Sequence, residues 1–235
     1  ALARELENVR AKEAEKTDIK TGDIFALGNH RLVCGDSTDK EVVARLLGEQ
    51  RIQTVYCDPP YNIALDYNKG VGGNANYGGT VDDKKTNTEF RIFLKLVMQS
   101  ALSVSEKDAH HFWYCDQKYV GMLQNLYEEL GIAYKRTALW VKNGINPTPK
   151  IAFNKCYEPC VYGTTGKPYL SDKHKKFHEI LNPEVGTGNA TADDINDMID
   201  IWLAKRVAGD AYEHPTQKPI TLHARPLSRC TNIGH

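Results

Sequence analysis

A chain of 235 residues, 41% hydrophobic and 26% charged, can bury one good core, or one core plus a small appendage. Thirty basic and thirty acidic side chains cancel at neutral pH, so any nucleic-acid surface must be local rather than a property of the whole molecule. With no apolar run of membrane-spanning length, no export leader and six scattered cysteines, the composition points to a cytosolic protein with reduced thiols and no membrane contact.

Residues 1–20 are rich in Ala, Glu, Lys and Arg and read as a charged linker or the tail of a helix. The first residue is Ala1 rather than Met, which leads us to expect a preceding domain. Asp23 to Leu27 and His30 to Cys34 read as two short strands about a Gly28-Asn29 turn, and Gly35-Asp36-Ser37 ends the second. Thr38 and Glu41 are spaced as a capping box that opens a helix running to Gly48. Ile52 to Cys57 then reads as a short buried strand.

Asp58-Pro59-Pro60-Tyr61, at the carboxyl end of that strand, is the most informative tetrapeptide of the chain. Open α/β sheets place their ligands at strand ends of this kind. Two prolines forbid both helix and ladder pairing, since each fixes its φ and neither has an N–H. Their carbonyls are left without a competing donor, next to a carboxylate and a flat aromatic ring. Together these groups form a receptor for a planar molecule that carries an exocyclic amino group.

Residues 62–85, with Gly70, Gly72, Gly73, Gly78 and Gly79 among several Asn, read as a mobile loop beside the site. Thr86 and Glu89 form a second capping box, and Phe90 to Leu102 carry apolar residues at helical spacing. His111 to Cys115 reads as a strand, Gln117 to Leu130 as a helix closed by Gly131, and Ile132 to Val141 as a strand. This alternation predicts an α/β, mostly parallel, doubly wound sheet. Adjacent His110 and His111 point to opposite faces of their strand, so they cannot serve one substrate together and read as sheet residues, one buried and one covered.

From 143 to 213 prolines and glycines break the pattern into an irregular insert, with a strand only over Glu158 to Tyr162 and a helix over Thr191 to Leu203. The stretch from 142 to 176 is basic: Lys142, Lys150, Lys155, Lys173, Lys175 and Lys176 are candidates for phosphate contact with double-stranded DNA. A solvated basic surface is the alternative. Cys156, Cys160, His174 and His178 have the spacing of a Cys2His2 zinc site; inward packing of Cys160 is the reading preferred here, without a metal. His214 to Pro219 forms a polar turn with Pro219 placed to begin a helix, which Pro226 should kink.

Asp58-Pro59-Pro60-Tyr61 after a hydrophobic strand resembles the catalytic motif of the DNA amino-methyltransferases, which modify adenine N6 or cytosine N4. The resemblance covers residues 21–235 and fits the subgroup whose catalytic half precedes its cofactor half. It is also similar to phage methyltransferases that follow a ParB-like domain. It implies a Rossmann-like sheet, S-adenosylmethionine as methyl donor, and a cytoplasmic enzyme of bacterial or phage origin, of the restriction-modification kind. It also implies a division into a catalytic core over 21–142, a target-recognition insert over 143–213 and the start of the cofactor half over 214–235.

On the same resemblance Asp58 and the Pro59 carbonyl hold the target amino group, with Pro60 stiffening the turn and Tyr61 stacking on the flipped base. Asp36, Asp58, His214, Thr216 and Lys218 lie near the cofactor. The family's Gly-rich cofactor loop is expected beyond residue 235, in a further segment or a complementing chain, so that the 235 residues alone bind cofactor poorly. Asp at position 58 favours adenine, because the cytosine class more often carries Ser there. A DNA-binding remnant without catalysis is the alternative from another class.

Overall fold

The computed structural model describes residues 18–64, 83–146, 155–171, 200–207 and 217–231, which fall into two units. One comprises the described residues up to Gln50 together with Val97–Val104; the other comprises those of Arg51–Leu96 and Ser105–His235.

In the smaller unit, β1 (Ile24–Leu27) and β2 (His30–Val33) pair antiparallel, pairing Ile24 with Val33 and Leu27 with His30. Gly28 makes the tight turn at φ 64°, a conformation that costs a residue without Cβ little. Helix α1 (Lys40–Leu47) follows. Its cap is Asp39, whose carboxylate accepts from Glu41 N–H, rather than the Thr38 that the box spacing suggested. The Thr38 N–H and hydroxyl both donate to Asp36 Oδ1 at 2.8 Å instead, because Asp36 lies two residues back in reach of both.

The larger unit is built on β3 (Ile52–Cys57), β4 (Ser105–Tyr114), β5 (Ala133–Asn146), β6 (Lys155–Thr165) and β7 (Ile201–Leu203), in the order β3-β4-β6-β5-β7. The α/β sheet expected from the sequence is present, and its pairing is mixed. β3 lies parallel to β4 and β5 to β7, while β6 runs antiparallel to both β4 and β5. Residues 201–203, expected as the end of a helix, are instead an edge strand in which Trp202 lies beside Trp140. Burial of Trp202 against the sheet (7% exposed) outweighs the local helical spacing.

Helix α2 (Asn87–Val104) opens with the predicted box: Thr86 N–H donates to Glu89 Oε2 at 2.9 Å, and Glu89 N–H to Thr86 Oγ1 at 3.3 Å. Phe90, Leu94, Val97 and Met98 are its buried stripe. A 3-10 turn, Gln117–Tyr119, leads into α3 (Val120–Glu129), and Gly131 follows at φ 73°. Helix α4 (Ile220–Cys230) begins after Pro219 and contains Pro226 as a buried residue.

Side-chain alternation divides the sheet into two faces. Register places Tyr56, Phe112, Tyr114, Cys160, Glu158, Ala138 and Trp140 on one face. Leu222 and Cys230 of α4 join the core cluster that forms there, which settles Cys160 as an inward-packed, fully buried residue. His111, Trp113 and Gly163 lie on the other face, where Tyr127 of α3 crosses so close to Gly163 that a Cβ there would stand 2.6 Å from the ring. Both histidines are buried: His110 bonds Tyr162 Oη at 3.0 Å and the Tyr169 carbonyl at 2.7 Å, whereas His111 Nε2 has no partner among the described residues.

Candidate active site

Strand β3 ends at Cys57, so the chain delivers Asp58 at the carboxyl edge of the sheet, as the hydrophobic run predicted. Pro59 is buried and Asp58 is exposed, a polar group held out on a rigid apolar base. The turn is stitched from below by Asn62, which sits at φ 54° and is 7% exposed. Its N–H donates to Asp83 Oδ1 at 2.6 Å, and its side-chain amide donates to the Lys85 carbonyl (2.9 Å) and Tyr119 Oη (2.8 Å). Its Oδ1 accepts from Lys85 N–H at 2.6 Å. Asn tolerates the left-handed region better than other side chains, and here every polar atom of the amide is used. Sequence reasoning passed over Asn62, although an Asn directly after a proline turn was the available signal.

The Asp58 carboxylate meets the Lys218 ammonium at 2.5 Å. The resemblance had placed these two residues together near the cofactor, and the fold does bring them together across 160 positions of chain. The Lys218 side chain is only 5% exposed and lies over the rings of Tyr114 (4.9 Å), Tyr61 (5.2 Å) and Trp140 (5.9 Å). Burying an ammonium is costly without partners, and two carboxylates and three ring faces supply them. The second carboxylate is Glu158 on β6, 3.5 Å from Lys218 and 2.6 Å from Lys142. Its Oε2 accepts the Tyr61 hydroxyl at 2.9 Å.

Burial pushes the Glu158 carboxyl up, but the Lys218 and Lys142 charges and the bonds from Lys142 and Tyr61 outweigh it, so its pKa falls below the ordinary carboxylate value. Burial, then the charges of Glu158 and Asp58, raise the Tyr61 phenol well above its ordinary value. The roles in that bond are therefore fixed: Tyr61 donates and Glu158 accepts. Beneath them the Tyr56 and Tyr114 hydroxyls lie 2.7 Å apart, and His223 Nδ1 of α4 is 3.1 Å from Tyr56 Oη. Burial also raises the Cys57 thiol to about 12, with Asp58 adding to it, so the sulfur beside the site stays a neutral, inert packing group.

A scan against protein families matches residues 52–235 to the model of the N6 and N4 methyltransferases, described as DNA methylase. The chain belongs to this DNA methylase family. Among solved structures it is similar to the M1.HpyAVI–SAM complex, at 16% identity and a TM-score of 0.49, over 84% of this chain and 76% of that one. It is similar also to a crystal structure of M1.HpyAVI, at 12% identity and a TM-score of 0.48, over 84% of this chain and 72% of that one. A search of curated proteins found no match.

The remaining residues expected at the site of this DNA methylase distribute as follows. Asp36 belongs to the smaller unit, where its bonds from the Thr38 N–H and hydroxyl keep its pKa below the ordinary value. Lys142 is engaged by Glu158, and Lys155 by Asp116 at 2.7 Å. His214, Thr216, Lys150, Lys173, Lys175 and Lys176 lie outside the described residues, as do His174, His178 and most of the 62–85 loop. Cys156 is half-buried, and no group of three or more potential metal ligands occurs among the described residues. Glu158, Tyr114 and Trp140 were not singled out beforehand; an acid within the otherwise apolar Tyr157-Glu158-Pro159-Cys160-Val161 run was the signal for the first. Among the described residues no helix is long and apolar enough to cross a membrane.

Proposed function

We propose that this chain transfers a methyl group from S-adenosylmethionine to the N6 amino group of an adenine flipped out of double-stranded DNA. What carries the reading is the joint placement of Asp58 and Tyr61 on one rigid turn, each tied to a different buried charge. A base inside a duplex cannot reach Asp58, so it must leave the stack at a cost of a few kcal/mol, which stacking on Tyr61 offsets. Asp58 and the Pro59 carbonyl then accept the two amino hydrogens, which turns the nitrogen lone pair away from the base plane. Alignment and fixed charge supply most of the acceleration.

S-adenosylmethionine, when bound, supplies an electrophilic methyl on a positively charged sulfur. The Asp58 carboxylate is an exposed anionic group that suits a sulfonium, while the Lys218 ammonium beside it suits an anionic part of the same cofactor. Asp58 and Lys218 would form this part of the cofactor site, with Asp36, His214 and Thr216 as further candidates. DNA phosphates would meet the basic part of the insert, chiefly Lys150, Lys173, Lys175 and Lys176, since Lys142 and Lys155 are engaged with carboxylates. Tritiated S-adenosylmethionine and unmethylated genomic DNA test the reading directly. Label should enter N6-methyladenine on digestion to nucleosides; label in N4-methylcytosine would replace adenine by cytosine, and no label would remove the activity.

A further inference from the structure

A tyrosine that stacks on a flipped base is useful only if its ring stands at one angle, yet a ring attached through Cα alone retains its side-chain torsions. Tyr61 is attached at both ends. Its backbone belongs to the proline turn, and its hydroxyl is fixed by Glu158 Oε2 at 2.9 Å, from a strand 97 residues further along the chain. Glu158 also takes part of Lys218, which lies 3.5 Å from it and 2.5 Å from Asp58. Two carboxylates and two ammonium groups, Lys142 and Lys218, balance within this cluster.

We propose that Glu158 is a positioning residue of the acceptor site, which orients the Tyr61 ring and shares Lys218 so that Asp58 keeps an oxygen for the amino group of the base. The proposal rests on the methyltransferase reading for its consequence in catalysis, and on the Tyr61–Glu158–Lys218 geometry for its physical content. Without the Glu158 charge, Lys218, too buried to turn to water and already 2.5 Å from Asp58, would pair with that carboxylate more strongly. It would then compete with the incoming amino group for the same carboxylate. The charge-assisted bond that holds the Tyr61 hydroxyl would at the same time weaken to a neutral one, and the ring would gain rotational freedom. Both effects act on the bound base; of the described phosphate candidates only Lys142, which pairs with Glu158, is touched.

Glu158→Gln keeps the shape of the side chain and removes its charge, so the fold should survive, as its thermal transition will show. In the full chain the variant should lower kcat about tenfold or more, with KM for DNA within about threefold of wild type. A kcat within about twofold of wild type would overturn the proposal. A second measurement does not depend on turnover. With 3-fluorotyrosine incorporated, the Tyr61 fluorine resonance, assigned by its loss in Tyr61→Phe, should move in Glu158→Gln and stay in place in Glu129→Gln, a surface control paired with Arg91 and Lys95. An unmoved Tyr61 resonance in Glu158→Gln would overturn the proposal even if kcat fell. A wild-type chain that labels no DNA would instead sink the methyltransferase reading, while the fluorine shift still reports whether Glu158 holds the ring.

Discussion

The two faces of the larger sheet are made from the same strands and serve different ends. On the face that carries Tyr56, Tyr114, Trp140 and Glu158, large rings pack around charges: Lys218 is buried among three of them and bound by two carboxylates. On the opposite face His111, Trp113, Leu123, Leu126 and Tyr127 pack with almost no exposure and no ion pair among the described residues. There Tyr127 Oη bonds the His111 and Val161 carbonyls, while His111 Nε2 and Trp113 Nε1 have no partner among the described residues. One strand thus carries chemistry on one side and cohesion on the other, because successive side chains alternate. Changes on the first face should be read in catalysis and those on the second in stability.

The largest expected effect breaks the first face. Asp58→Ala should lower methyl transfer by a factor on the order of a hundred to a thousand, the usual loss for a group aimed at the reacting atoms. DNA binding should change little, while the thermal transition should fall, because the buried Lys218 ammonium loses its nearest carboxylate. Near wild-type labelling of DNA by this variant would end the assignment of Asp58. Leu123→Ala tests the second face. Leu123 is fully buried, so its truncation should cost about 2–5 kcal/mol in urea unfolding while kcat of the folded fraction holds.

A smaller effect sharpens the same contrast through pH. Burial, with His110 adding to it, holds the His111 pKa down at about 4 from an ordinary 6.5. Because the folded chain prefers the neutral ring, this contribution is complete above the unfolded value. It is lost as pH falls from 6.5 toward 4, up to about 3 kcal/mol. The lowered pKa of His110 acts in the same direction. His111→Phe should therefore flatten part of the acid limb of a stability-against-pH curve; an unchanged limb would place the titration elsewhere. The smallest effect concerns DNA. Neutralising Lys173, Lys175 and Lys176 together should reduce the salt slope of log K by up to about 0.9 for each true phosphate contact. An unchanged slope would make them a solvated surface.

Local chemistry made much of this legible in advance. The hairpin around Gly28, the Thr86–Glu89 cap, the amphipathic stripe of α2 and the strand that ends at Asp58 all follow from interactions within a few residues, which sequence spacing records directly. The family was legible for the same reason, since Asp58-Pro59-Pro60-Tyr61 is a contiguous motif. Where two local signals competed, proximity chose wrongly: Asp39 rather than Thr38 caps α1, and burial of Trp202 made a strand of residues 201–203.

What the sequence determined by itself was the Asp58-Pro59-Pro60-Tyr61 motif, its place at a strand end and the α/β class. Only the tertiary structure decided that the sheet pairs in mixed directions, that Lys218 lies between Asp58 and Glu158, and that Tyr61 is held from β6. Those contacts join residues 60 to 160 positions apart, and their energy comes from charges that lose water together. No window of sequence contains both members of such a pair, so only the folded chain brings them within reach of each other.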